Sequence, residues 1–231
     1  MNPDLISALI GGASGITCAV ITAKMTTRAS RKEIERVNAI NGAYLASHIA
    51  PALRAYAATC LSVSYDDGYS EGRPAGENGT AQATVTSPAF KPSDFTVEWK
   101  SLPSNLMTDI LTFPEYAHSE ASVLNDEYGY DDPPDYPQFF SDRQRIYVKL
   151  GLKALTLAER LYEHAKIEPH DQGADMRVRL SERQAELETK RAEREERIAK
   201  HRANENDVFA SSIASPPVLD QPQASKLLDL S

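Results

Sequence analysis

The sequence predicts an all-α protein: an N-terminal single transmembrane helix, an antiparallel helical bundle, a charged C-terminal helix and a disordered tail. Three observations carry this reading. Residues Leu5 to Ala23 hold no formal charge and are followed at once by Lys24, Arg28, Arg31, Lys32 and Arg36. Apolar residues then recur at three- and four-residue steps over 31–63 and again over 139–166, the spacing of one helix face. Residues 175–203 are dominated by Glu, Arg and Lys, with i to i+4 pairs Glu186/Lys190, Glu193/Arg197 and Glu196/Lys200 that support a solvated helix.

The first element is the anchor, residues 1–24. Nineteen uncharged residues at about 1.5 Å rise make a helix of roughly 28 Å, close to the hydrocarbon thickness of a bilayer. A cleaved signal peptide requires positive charge ahead of the apolar core and a small-x-small site behind it. This chain starts Met-Asn-Pro-Asp and closes the segment with Val20-Ile21-Thr22-Ala23-Lys24. Cys18, preceded by Gly15, Ile16 and Thr17, lacks the leucine-like residue of a lipoprotein site. A buried helix of a soluble fold stays open, because Ser7, Ser14, Thr17 and Thr22 dilute the segment. Basic residues gather on the carboxyl side, so the positive-inside bias makes this a single-pass membrane protein with its C-terminal domain in the cytoplasm. Two cysteines, Cys18 and Cys60, show no disulfide or zinc spacing. Ser7, Gly11, Gly15 and Ala19, extended by Ala23, fall four apart and form one small-residue stripe with a GxxxG. Such stripes let helices associate in lipid, which points to a homo-oligomer, although Gly and Ala are also common in membrane helices generally.

Residues 29–64 form the first bundle helix, capped by Ser30 with Glu33 in a capping box and kinked at Pro51. Residues 65–93 are rich in Gly, Ser, Thr, Pro and acidic residues, the composition of a disordered loop. The remaining bundle helices occupy 94–167: a short one from Pro103 to Leu111, a second from Pro114 to about Asn125, and a long one from Phe139 to Lys166. The expected core is Ile34, Val37, Leu45, Ile49, Leu53, Tyr56, Leu106, Ile110, Phe140, Ile146, Leu150, Leu157 and Leu161. The charged helix runs over 174–203. Its heptad seam Met176, Leu180, Leu187 meets Arg194, so a long coiled coil is not sustained. The tail, 204–231, carries Pro216, Pro217 and Pro222 and ends in the apolar patch Leu227, Leu228, Leu230.

Charge is divided unevenly along the chain. Between Asp66 and Asp142 there are fifteen acidic residues and only three basic ones, Arg73, Lys91 and Lys100. This middle repels nucleic acid, and the C-terminal helix, with nine basic against seven acidic residues over 175–203, is too balanced to track phosphates. The densest carboxylates are Asp126, Glu127, Asp131, Asp132 and Asp135, where Asp131, Asp132 and Asp135 are candidate ligands for a hard divalent cation. Their spacing matches no calcium loop, and a solvated acidic turn is the simpler reading. Arg143, on the apolar face of the Phe139 helix, calls for a carboxylate from this loop. His48 reads as a partly buried packing residue. No phosphate loop, nucleophile elbow, HExxH or paired cysteine and histidine is present, so no catalytic residue and no cofactor is assigned.

The stretch Trp99 to Glu115, the Asp-Tyr-Pro-Gln-Phe-Phe run and the Leu150-Gly-Leu-Lys-Ala-Leu helix resemble uncharacterised bacterial membrane-anchored helical proteins over about Asp94 to Ala165. The resemblance implies the same layout and no activity. The function expected is that of a membrane-tethered cytosolic scaffold acting on an unidentified protein partner. The alternative is a divalent-cation-dependent enzyme or cation-binding module built on the acidic loop 125–137.

Overall fold

The computed structural model describes the backbone of residues 3–128, 131–168 and 172–214, and side chains at 28, 30–124, 131–168 and 174–205. It is mainly helical: α1 (Pro3–Val63), α2 (Ser104–Tyr128), α3 (Pro137–Ala165) and α4 (Gln172–Ala214). A two-residue hairpin of β1 (Tyr69–Ser70) and β2 (Arg73–Pro74) follows α1, and 3-10 turns sit at Pro92–Asp94 and Trp99–Ser101. The chain divides into two units, Met1–Leu187 and Glu188–Ser231. Within the second, 188–214 are helical and the exposed pairs Arg191–Glu195 and Lys200–Glu196 close at 2.7 Å.

In the first unit α3 is the central element, antiparallel to its three neighbours. Against α1, His164 lies opposite Gly42, Gly151 opposite Cys60, and Arg143 reaches Asp66 just past the helix end. Against α2, Arg160 pairs with Asp109 and Lys153 stacks on Tyr116. Against α4, Glu159 pairs with Arg177, Gly151 meets Leu180, and Gln144 meets Arg183. Burial on several sides explains why α3 hides residues all along its length, from Phe140 to Leu161. Gly151 is a point of close approach, where a Cβ would stand 3.0 Å from Cys60 Cβ and 3.2 Å from both Leu180 methyls.

Most of the expected core is buried: Leu45, Ile49, Leu53, Tyr56, Leu106, Ile110, Phe140, Ile146, Leu150, Leu157 and Leu161. Ile34 and Val37 are corrections, at 60% and 42% exposure. Helix α3 ends at Ala165, opposite the Gly42 turn of α1, so among the described residues no helix covers Ile34 and Val37. Ser30 is also corrected, because α1 starts at Pro3 and Ser30 lies inside it. Glu33 pairs instead with Arg36 at 2.7 Å. Pro51 is carried within α1 on its exposed side, where the carbonyl its ring leaves unbonded can be hydrated. Pro114 likewise sits inside α2, so the two short helices expected around it are one.

Residues 65–93 depart furthest from expectation. Instead of a disordered loop they take a defined path, pinned by Ala75 N–H to Gly68 O, Ala81 N–H to Pro134 O and Gln82 N–H to Gly68 O. Phe90 then packs on Phe113 and Phe95, which ties the segment to the core. Polar bonds and one aromatic anchor supply what the composition lacks in apolar surface. Helix α4 extends to Ala214, beyond the expected end at 203, and the tail 215–231 lies outside the described residues. Among the described residues no helix is long and apolar enough to cross a membrane. The side chains of 5–23, on which the anchor and the Ser7, Gly11, Gly15 and Ala19 stripe rest, lie outside the described set, so the fold gives the transmembrane assignment no support of its own.

Replacing Gly151 with leucine should destabilise the bundle by about 1–3 kcal/mol or more, because three helices meet there and cannot yield together. Urea unfolding of Gly151→Leu against Leu152→Ala, a half-buried neighbour on the same helix, checks this. Equal or smaller loss at Gly151 contradicts the packing.

Candidate functional site

The acidic loop is committed to holding the chain together. Asp131 accepts the Phe139 N–H at 2.8 Å, closing an open donor in the first turn of α3, and also accepts the Asp132 N–H at 2.9 Å. Asp135 accepts the Tyr69 hydroxyl at 2.7 Å, joining the hairpin to the loop. That bond holds the Tyr69 phenol above its ordinary pKa, with burial and the charges of Asp135 and Asp67 adding to it. Asp132 is exposed. Among the described residues no three His, Cys, Asp or Glu side chains converge to hold a metal ion, and the side chains of Asp126 and Glu127 lie outside them.

The carboxylate that Arg143 requires comes from elsewhere. Asp66, just past the end of α1, meets the Arg143 guanidinium at 2.7 Å, and both side chains are almost fully buried. Its two oxygens also accept the Gly68 N–H, the Thr84 hydroxyl and the N–H groups of Thr84 and Val85, at 2.8 to 3.1 Å. Arg143 spends a second N–H on Val85 O at 2.5 Å. Gln144 donates to Asp66 O, and Arg183 donates twice to Ser64 O while stacking on Tyr65. One buried polar cluster thus binds the end of α1, the 66–85 segment, α3 and α4. Gly68 allows it: at φ +82° it takes a left-handed turn, and a Cβ there would collide with the Phe140 ring and stand 2.8 Å from Ala81 Cβ.

A two-lobed cleft lies beside this cluster. The first lobe, about 390 Å³, lies between residues 83–87 and α2, with Arg143 and Tyr147 of α3 on its wall. The second, about 290 Å³, is bounded by Phe90, Lys91, Phe113 and Tyr56. His118, Ala121 and Tyr147 line both, which sets the two lobes side by side. Sequence reasoning missed this cleft, because the segment forming one wall has the composition of a loop. His48, expected to be partly buried, is exposed and bonds Tyr44 O through Nδ1 at 2.8 Å. Cys60 is buried beside Tyr56; burial pushes its thiol up, opposed only by the Tyr56 hydroxyl, and so leaves it a poor nucleophile.

Burial works to raise the Asp66 pKa, yet the N–H groups of Val85 and Gly68, the Thr84 hydroxyl and Arg143 outweigh it and hold the carboxyl below its ordinary value. A depressed folded pKa means that unfolding takes up a proton. Asp66 therefore stabilises the fold fully above about pH 4, where the unfolded chain is ionised, and loses that contribution as pH falls through the lower folded value. Asp66→Ala should cost about 3–5 kcal/mol at pH 7, since it strands a buried guanidinium. Asp66→Asn should flatten the fall in stability below about pH 4; urea titrations across pH measure both. No family model, no curated protein and no solved structure matches this chain.

Proposed function

We propose that the chain is a membrane-tethered helical protein that acts through protein contacts, and that its first partner is a second copy of itself along α1. The observation that carries this is an apolar face that no other described residue covers. Ile34, Val37, Ile40 and Tyr44 are 60%, 42%, 55% and 54% exposed, a contiguous patch of the kind that marks an interaction surface. The anchor segment supports it from the sequence: residues 5–23 are uncharged, five Lys/Arg follow within 24–36, and the positive-inside bias keeps the bundle in the cytoplasm. Helix α1 is unbroken from Pro3 to Val63, so anchor and patch belong to one rod. By sequence spacing Ala19 and Val37 stand eighteen positions apart, about five turns of an ideal helix, the register that one continuous seam requires. Tethering raises the effective concentration of a second copy and orients it parallel, so a modest helical seam suffices.

The cation-dependent alternative has less behind it, because Asp131 and Asp135 already serve as acceptors within the protein. Two measurements test the favoured reading. The full chain should pellet with membranes and resist carbonate, and deletion of residues 1–24 should release it to the soluble fraction. In membranes, Val37→Cys should form an oxidised dimer, and Gly11→Ile with Ile34→Glu should lower its yield at least tenfold. A soluble full-length chain, or a yield unaffected by those changes, overturns it.

A further inference from the structure

We infer that the two-lobed cleft is a binding site for a small amphipathic carboxylate, an aryl or short alkyl chain ending in one carboxylate group. Its polar wall offers donors. Tyr147 is 5% exposed, lines both lobes, and its hydroxyl has no hydrogen-bond partner among the described residues. A buried phenol without an acceptor costs free energy that a bound acceptor recovers. Beside it Arg143 stands 5.7 Å from the Tyr147 ring centre and is 4% exposed. Among the described residues only two bonds to protein acceptors, Asp66 and Val85 O, use its five N–H groups.

Charge around the cleft is equally one-sided. The region from Asp66 to Asp142 holds fifteen acidic residues and three basic ones, yet among the described residues no acidic side chain lines either lobe, while Arg143, Lys91 and His118 do. Asp66 balances the Arg143 charge at 2.7 Å, so an anion in the cleft is held by hydrogen bonds from the Tyr147 hydroxyl and the remaining Arg143 N–H groups, with Lys91 adding longer-range attraction. The second lobe sets the other end of the ligand. Tyr56, Phe90 and Phe113 present ring faces and edges there, with Tyr56 and Phe113 in T-shaped contact at 5.1 Å. Such a surface takes an aromatic or alkyl group. The carboxylate then lies in the first lobe against Tyr147 and Arg143, and the apolar group in the second. Combined, the lobes fall within the range of small-molecule sites, about 300–1,000 Å³.

The test is isothermal titration of 3-phenylpropionate into the full chain in lipid nanodiscs, with empty discs subtracted and 3-phenylpropan-1-ol as the uncharged twin. Saturable one-site binding of the acid is expected, with the alcohol at least tenfold weaker. Tyr147→Phe keeps the ring and removes only the hydroxyl. It should weaken the acid about tenfold without lowering the unliganded Tm, and Ala121→Trp, which fills the junction of the lobes, should abolish binding. Four results overturn the inference: no heat beyond that of the discs, equal affinity for acid and alcohol, unchanged binding by Tyr147→Phe, or a lowered unliganded Tm in that variant, which would mean the hydroxyl already has a protein partner.

Discussion

Asp66 must keep a negative charge in a place that water barely reaches, and the rest of the fold is arranged so that it can. Desolvating a carboxylate costs several kcal/mol. Only a dense set of donors offsets that, and here they come from Gly68, Thr84, Val85 and Arg143. The donors lie two, eighteen, nineteen and seventy-seven residues away in sequence, so satisfying one side chain closes a long loop and docks it on α3 at the same time. Arg183 extends the same logic to α4 by taking up Ser64 O at the end of α1. The cluster is specific because it is all or nothing: any missing donor leaves buried charge uncompensated.

The cleft depends on that cluster. Val85 is bonded on both sides, its N–H to Asp66 and its carbonyl to Arg143, which fixes the segment that forms one wall. Tyr147 stands one helical turn beyond Arg143 on α3, so the residue that completes the ion pair also packs against the phenol that lines both lobes. Helix α1 leads away from this region. Its second half packs on α3, and the part before Gly42 presents apolar residues to its surroundings. The cleft and the exposed apolar face then share a single scaffold.

How far this was legible in the sequence differs by element. The helices of the bundle and their buried faces follow from periodicity, because Leu45, Leu53, Leu150 and Leu161 repeat at helical spacing whatever they pack against. Ends and breaks were harder. Pro51 and Pro114 are interior residues of continuous helices, since tertiary packing on both sides outweighs the local cost of a proline. Ile34 and Val37 carry the same apolar rhythm as the core, and only the length of α3 reveals that no other described helix covers them. The 65–93 segment was read by composition, which counts apolar surface and cannot see that one aspartate will organise its backbone. A hint was present in Asp66-Asp67-Gly68, a turn signal directly after a helix. Arg143 was rightly expected to form an ion pair, yet its partner lies outside the acidic loop, because spacing along the chain does not say which carboxylate a fold brings close.

Native-state hydrogen exchange at the amides of Gly68, Thr84 and Val85 tests the central role of Asp66 most directly. If the carboxylate organises the fold, these three exchange only through global unfolding, with protection equal to that of the α3 core amides of Leu150 and Ala154. Exchange at the rate of an open loop, while the α3 amides stay protected, would show that the segment is not held by Asp66 and would contradict the account.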